Sequence, residues 1–428
     1  MVRASERDVR ASGHDVRASE HGVGTPEREV GTPEHDVRAS RGDAGGRRLL
    51  LLALILFVSY LCVAVSLPVV PLFVTRNLGL GNAWAGLAVG SAFVATILTR
   101  GLAGTLSDRR GPKRAAAWGL GFYVAGGLVS AMAGVLAQGW PGFAVLILGR
   151  LVVGLGESLV AVGVIAWGIA SLGPQRSGKV LALLGASLYG AFAVGGPLGL
   201  LLLERLGFAG TMLLAAVLPA LGLVAIWPLA GAAAHPEVVR PPFRRVIGRI
   251  WRQGSVVCLQ GVGFAAIGAF FSLHFAHEGW PMAGLGLTGF GLGFVIVRAL
   301  FGHLPDRLGG LPVATGSLAV EMAGLLVIAV AGDPRVALLG AFLTGLGCSL
   351  VFPAMGREVV RLVEPPLRGT ALGAYAGFQD LAYGLTGPLA GLLADRAGYG
   401  SVFLAGGISA ALGLAVTLRL RRRVVAMV

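Results

Sequence analysis

From residue 49 onward the chain is a succession of apolar segments, each about as long as a lipid hydrocarbon core is thick. That feature restricts the fold more than any motif does. A backbone immersed in lipid must satisfy its own hydrogen bonds, so only helices and closed barrels span a membrane. About 20 apolar residues make one helical crossing, whereas barrel strands are about half that length and alternate in polarity. The segments are Leu49–Pro71, Ala83–Ala103, Ala115–Ala137, Phe143–Leu172, Lys179–Leu203 and Phe208–Leu229. After a basic stretch, Gly231–Gly254, come Ser255–Phe275, Met282–His303, Leu311–Ala331, Val336–Met355, Gly369–Ala394 and Tyr399–Leu420. The pattern predicts an all-α integral membrane protein of twelve transmembrane helices, six in residues 49–230 and six in residues 255–423, joined by a linker at 231–254, with 424–428 as a tail. Composition agrees: 13% of residues are charged, against about 25% in a soluble domain. A soluble enzyme, a nucleic-acid-binding domain and a secreted disulfide scaffold are all excluded by that ratio. Cys62, Cys258 and Cys348 lie inside apolar runs with no CxxC and no metal-ligand spacing, so neither a metal nor another cofactor is expected.

Residues 1–48 are of another kind. Residues 2–43 are six consecutive seven-residue units of the type VRASERD or VGTPERE. Each offers one valine and no second apolar position, so no coiled-coil seam exists, and Pro26 and Pro33 interrupt any helix. With acids and bases balanced, this stretch is expected to be a disordered tail, and it lacks the apolar core of a signal peptide.

Charge placement sets the orientation. Arg109/Arg110/Lys113/Arg114, Arg176/Lys179, the linker arginines, Arg357/Arg361/Arg368 and Arg419/Arg421/Arg422/Arg423 all fall on one side of the membrane. The opposite side holds only Arg76, Arg205, Arg335 and Arg396. Positive-inside bias then places both termini and the linker in the cytoplasm. The net charge of +14 is therefore a topology signal, with attraction to the lipid bilayer as a by-product, and not a nucleic-acid footprint.

The two halves are copies. Arg100 recurs as Arg298, and GTLSDRRG at Gly104 recurs as GHLPDRLG at Gly302, each 198 positions on. GLGESLV at Gly154 recurs as GLGCSLV at Gly345, and Gly196-Pro197 as Gly387-Pro388, each 191 positions on. Parallel repeats of this kind are a known transporter architecture with the site between the halves.

GTLSDRRGPKR at Gly104 resembles the loop signature of the major facilitator superfamily, and LILGRLVVGLGES at Leu146 its helix-4 signature, with Arg150 at the arginine position. YGAFAVGGPLG at Tyr189 is similar to the Gly-Pro helix-5 signature of its antiporters, although Phe192, Leu200 and Leu201 stand where that signature has glycine. Together with GPQRSGKV, these stretches are most similar to the YhhS-type branch of bacterial efflux permeases, which includes drug and sugar exporters. The resemblance implies the major facilitator fold in a bacterial inner membrane, a monomer, a small-molecule substrate, and protons as coupling ions. It also implies that Gly104, Asp108, Arg109 and Gly111 form a conformational latch against the start of helix 11. Asp306 and Arg307 would do the same at helix 5, while Gly196, Pro197, Gly387 and Pro388 bend their helices.

Three carboxylates fall inside membrane segments: Glu157, Glu321 and Asp380. An ion at the centre of a membrane helix costs about 2.5–3.5 kcal/mol even on the mildest scale, so each needs a partner or a function. Arg150 and Glu157 are seven apart and share a helix face. Asp380 has Tyr189 as its repeat counterpart and no base within two turns, which makes it the expected resident proton site, with Glu157 and Arg150 as coupling partners. Arg100 and Arg298 are expected to snorkel or to join the latches, and Glu321 to face away from the cavity. Tyr189, Trp167, Tyr375, Gln379 and Tyr383 are candidate cavity residues, Gln379 standing beside Asp380 with the two tyrosines a turn either side.

No GxxxxGK[ST] loop is present, so any uphill work draws on an ion gradient and not on ATP. The sequence points to proton-coupled export by alternating access. Proton-coupled uptake and a non-transporting membrane sensor or scaffold are the alternatives. Deletion of residues 2–44 is expected to leave membrane insertion and transport unchanged. Loss of folded protein in the truncated chain would show that the repeats are required.

Overall fold

The computed structural model describes residues 33–136, 139–173, 176–234, 244–364 and 367–425. It divides into a unit Met1–Asp43, described only from Pro33, and a unit Ala44–Val428, to which everything below refers. All regular elements among the described residues are helices. They are α1 (Pro33–Arg76), α2 (Asn82–Arg110), α3 (Pro112–Leu136), α4 (Gly139–Leu172) and α5 (Ser177–Ile226) in the first half. The second half holds α6 (Arg244–His277), α7 (Leu285–Phe301), α8 (Leu304–Leu308), α9 (Gly310–Ala329), α10 (Pro334–Arg361), α11 (Arg368–Ala397) and α12 (Tyr399–Val425).

Among the described residues, nine helical stretches are long and apolar enough to cross a membrane. One of these, Leu183–Ile226, is two crossings. Its 44 residues would reach about 66 Å as a straight helix, twice a hydrocarbon core of about 30 Å. Gly207, at φ 66° and ψ −175°, breaks it, and Lys113 Nζ donates to the carbonyls of Trp227 and Leu229, bringing its far end back to the arginine-rich side. The shorter apolar α7 and the more polar α11 bring the crossings to the expected twelve. Large apolar side chains point outward, Leu98 75% and Val224 72% exposed, as lipid solvent requires. Trp84 and Trp140 near one end, and Trp118, Trp227 and Trp251 near the other, are exposed at interfacial positions.

Several helices outrun the hydropathy segments. Apolarity marks the hydrocarbon slab, while the hydrogen-bonded helix continues into the headgroups. Thus α2 runs to Arg110 where hydropathy ends at Ala103, and α6 takes in Arg244–Gly254 from the expected linker. Likewise α1 is helical from Pro33, so the later part of the expected disordered tail belongs to a helix; residues 1–32 lie outside the described residues. Local signals are conventional where they occur. Asp333 caps α10 by accepting from Arg335 N at 2.7 Å, with Pro334 in the first turn. The loop signature has a backbone reason too. Gly111 and Gly309 end the matching copies at φ 91° and 93°, a region that side-chain-bearing residues avoid.

Each half repeats one packing scheme, α3 against α4 and α9 against α10. The halves meet along two seams, α2 with α11 and α5 with α7. In the first seam a Cβ on Gly86 would collide with the Gly387 carbonyl, and one on Gly90 with that of Gly384. In the second, Gly196 and Pro197 sit on Gly284, and Thr288 Oγ1 donates to the Ala193 carbonyl at 2.7 Å. Both seams occupy the end of the molecule that carries Asn82. Toward the arginine-rich end, Gly101, Gly369 and Gly377 face open space. The structure is closed at the Asn82 end.

A carboxylate locks that closure. Asp395 of α11 accepts from Asn82 N at 3.2 Å, Asn82 Nδ2 at 2.8 Å and Ala83 N at 3.3 Å, capping α2 from the other half. Tyr399 donates to Asn82 Oδ1 at 2.9 Å. The repeat counterpart of Asp395 is Glu204, which lines a cavity of about 810 Å³ with Arg76, Trp280 and the start of α7 and caps nothing. Asp395→Ala is expected to shift the Asn82 end several-fold toward its open form, since such a cap is worth about 1 kcal/mol. Spin-label distances between the Asn82 ends of α2 and α11 read this directly. An unchanged distribution would exclude the lock.

Candidate functional site

Below the closed seams, charged side chains from three helices converge. Arg100 lies ten residues before the end of α2. Its guanidinium pairs with Asp380 of α11, through Nη2 and Oδ2, and so joins the two halves. The expectation that Asp380 has no basic partner fails because it considered only its own helix. Arg100, expected to snorkel or to join a latch, instead holds a carboxylate of the other half.

Arg150 and Glu157 share a face of α4 as the spacing requires, yet among the described residues they form no ion pair with each other. Arg150 is 2% exposed and is consumed within its own half: Nη1 donates to Ser66 Oγ of α1 at 2.8 Å and Nε to the Ala88 carbonyl of α2 at 3.3 Å. It ties α1, α2 and α4 together. Glu157 has the Tyr60 side chain within interaction reach, and its Oε2 is buried with no hydrogen-bond partner among the described residues. The roles expected from sequence are thereby exchanged: Asp380 holds the cation and Glu157 does not.

Above this cluster lies a layer of rings contributed by both halves. Phe93 (α2) meets Tyr383 (α11) at 5.1 Å between centroids, Tyr383 meets Phe264 (α6) at 4.9 Å, and Phe264 meets Phe192 (α5) at 5.0 Å. Phe192 also touches Tyr60 and Tyr189, and Tyr189 stacks on Phe294 of α7 at 3.4 Å. Phe192 occupies the place where the helix-5 signature has glycine, and its ring fills the layer. The Arg298 guanidinium lies 5.2 Å from the Phe294 ring centre. It neither snorkels nor joins a latch.

The other candidates are distributed as follows. Tyr189 and Tyr383 are in the layer, and Gln379 is half-buried on α11 facing α6. Tyr375 is not a cavity residue: it is fully buried in the second half, donating to the Phe352 carbonyl at 2.9 Å. Trp167 is likewise fully buried in the core of the first half. Both sit on helix faces turned toward their own bundle, which position in sequence does not reveal. Glu321 is buried between α9 and α10 near Cys348 and Gln260, away from both seams. Gly196, Pro197, Gly387 and Pro388 lie within α5 and α11 at the seams.

Of the latch residues, Gly104 is buried, Asp108 half-buried and Arg109 exposed at the end of α2, before Gly111. Asp306 lies in α8 and approaches Arg357 of α10 at 3.8 Å, with Arg307 exposed beside it. Its partner is therefore in its own half, not on helix 5, because α8 packs on α10 and ends where α9 begins. Sequence reasoning missed Asp395, Tyr60 and the Arg100 pairing. The recurrence of Arg100 as Arg298 inside two apolar segments was the available signal.

Twelve membrane crossings in two parallel repeats, closed around a charged and aromatic centre at one end, define a secondary transporter, not an enzyme. The chain matches the Major Facilitator Superfamily over residues 52–282 and 254–426. It is 44% identical over 372 residues to the uncharacterized MFS-type transporter STM4428 of Salmonella typhimurium, covering 86% of this chain and 95% of that one. It is 42% identical over 370 residues to the uncharacterized MFS-type transporter PA14_38730 of Pseudomonas aeruginosa, covering 86% and 91%. Its fold is shared with the human organic anion transporter MFSD10 (TM-score 0.67, 18% identity, 87% and 99% covered) and the nucleoside transporter NupG (0.72, 13%, 87% and 99%). The chain belongs to the major facilitator superfamily.

The Arg100–Asp380 pair sets a stability expectation. Removing one partner of a buried pair leaves the other charge uncompensated, at about 3–5 kcal/mol, whereas removing both charges is far milder. Asp380→Ala is expected to lower the melting temperature more than the double variant Arg100→Gln/Asp380→Asn. The reverse order in fluorescence-detected thermal unfolding would show that the pair is solvated and unimportant.

Proposed function

We propose that the protein exports small molecules from the cytoplasm in exchange for protons. The observation that carries this reading is the arrangement of Arg100, Asp380 and Glu157. One carboxylate holds a cation of the other half, and a second stands nearby on α4 with an oxygen that has no hydrogen-bond partner among the described residues. Positive-inside orientation makes the arginine-rich end cytoplasmic and the Asn82 end external, so the sealed α2–α11 seam faces outward. Rocking α2 against α11, as alternating access demands, changes the reach between Arg100 and Asp380. Arg100 is then free to turn to Glu157 on its own half, and the two carboxylates exchange cation and proton as access alternates. One charge moving through 100 mV supplies about 2.3 kcal/mol, enough for uphill export without ATP. Arg150, by bracing α1, α2 and α4, positions this cluster.

In proteoliposomes, Glu157→Gln is expected to abolish accumulation driven by a pH gradient while keeping downhill substrate exchange. Asp380→Asn should do the same, and Arg150→Ala should remove both activities. If both carboxylate variants still pump uphill on a pH gradient, coupling through these residues is wrong. Uptake in place of export would appear as accumulation with the opposite gradient sign.

A further inference from the structure

The pseudo-twofold symmetry of the chain poses a question at its centre. Arg100 of α2 and Asp380 of α11 form one inter-half pair. Their repeat counterparts are Arg298 of α7 and Tyr189 of α5, which meet across the other seam. The arginine has been kept and its carboxylate replaced by a phenol. Arg298 lies over the Phe294 ring, on which Tyr189 stacks, so this ring joins the arginine to the phenol. Arg298 Nε is buried and has no hydrogen-bond partner, and no carboxylate pairs with the guanidinium among the described residues. An arginine held inside a membrane segment without an acid is costly, and such residues mark ligand sites.

We propose that the substrate supplies the missing carboxylate: the site formed by Arg298, Tyr189 and Phe294 binds organic acids that carry a carboxylate beside an apolar or aromatic body. The inference deepens the export reading and rests on it. A guanidinium presents a planar fork that matches a carboxylate with two parallel hydrogen bonds. The half-buried ring of Tyr189, held against the buried Phe294 and Phe192, offers the adjoining apolar surface. One repeat thus carries its own acid and the other borrows one.

The test compares 1-naphthaleneacetate with its neutral isostere 1-naphthaleneacetamide, binding to the full chain in phosphatidylcholine nanodiscs by equilibrium dialysis. The acid is expected to bind about 10-fold or more tightly, as charge-assisted hydrogen bonds to one guanidinium allow. Arg298→Gln should reduce the preference to about one, and Arg298→Lys should keep a several-fold remnant. Tyr189→Asp should also abolish it, because the installed carboxylate takes the guanidinium as Asp380 takes Arg100. Thermal unfolding identifies any variant that fails to fold, and the wild-type ratio and Tyr189→Asp keep the proposal falsifiable without Arg298→Gln. Equal binding of acid and amide by the wild type, or a preference surviving in both Arg298→Gln and Tyr189→Asp, overturns it. Equal binding alongside intact pH-driven pumping refutes the acid site alone. Acid-selective binding in a chain that does not pump on a pH gradient refutes the coupling and leaves the site.

Discussion

Arg100 and Asp380 meet in a place where water is scarce, and that circumstance orders much of what surrounds them. Each charge alone would make its helix expensive to insert, and each is supplied by a different half of the molecule. The pair therefore ties the cost of burying a charge to the relative position of the two bundles. Around it the remaining charges are assigned by elimination: Arg150 to the carbonyl and hydroxyl of its own half, Glu157 to the neighbourhood of Tyr60, Arg298 to a ring face. The close glycine contacts above the pair bring α2 near enough to α11 for the short reach to exist.

Duplication built both halves to one plan, and function has exploited the departures from it. Tyr123 on α3 has Glu321 on α9 as its counterpart, and Glu157 on α4 has Cys348 on α10. Each bundle thus keeps one carboxylate at the junction of its third and fourth helices, but from opposite sides of that junction. The first faces the inter-half centre and the second lies inside its own bundle. Asp395 and Glu204 diverge in the same manner, one sealing a helix end and the other lining open space.

The membrane architecture was legible because hydrocarbon thickness imposes segment length, and the repeat because Asp-Arg-x-Gly cannot recur in two matched loops by apolar drift. Orientation followed from arginine placement. Three-dimensional partnership was not legible. Asp380 appeared isolated because sequence distance to Arg100 is large, while the helices that carry them lie side by side. Arg100 reads as interfacial because it stands close to Ala103, where hydropathy ends, and nothing on its own helix announces a partner on α11. Tyr375 and Trp167 had suitable chemistry but point into their own bundles, and a helix of uniformly apolar composition gives no periodicity from which to read that. Phe192 was visible as a departure from a glycine pattern before its role in the ring layer was.

That ring layer has an electrical consequence. Phe93, Phe192, Phe264 and Tyr383 contact one another at 4.9–5.1 Å between centroids, and Phe290 adjoins Phe264 at 5.3 Å. Apolar enclosures of this kind stay dry, so no file of hydrogen-bonded water threads from one face to the other along which protons hop. A carrier that spends a proton gradient must also avoid short-circuiting it. Under the proton coupling proposed above, that insulation is a sheet of aromatic carbon drawn from both halves.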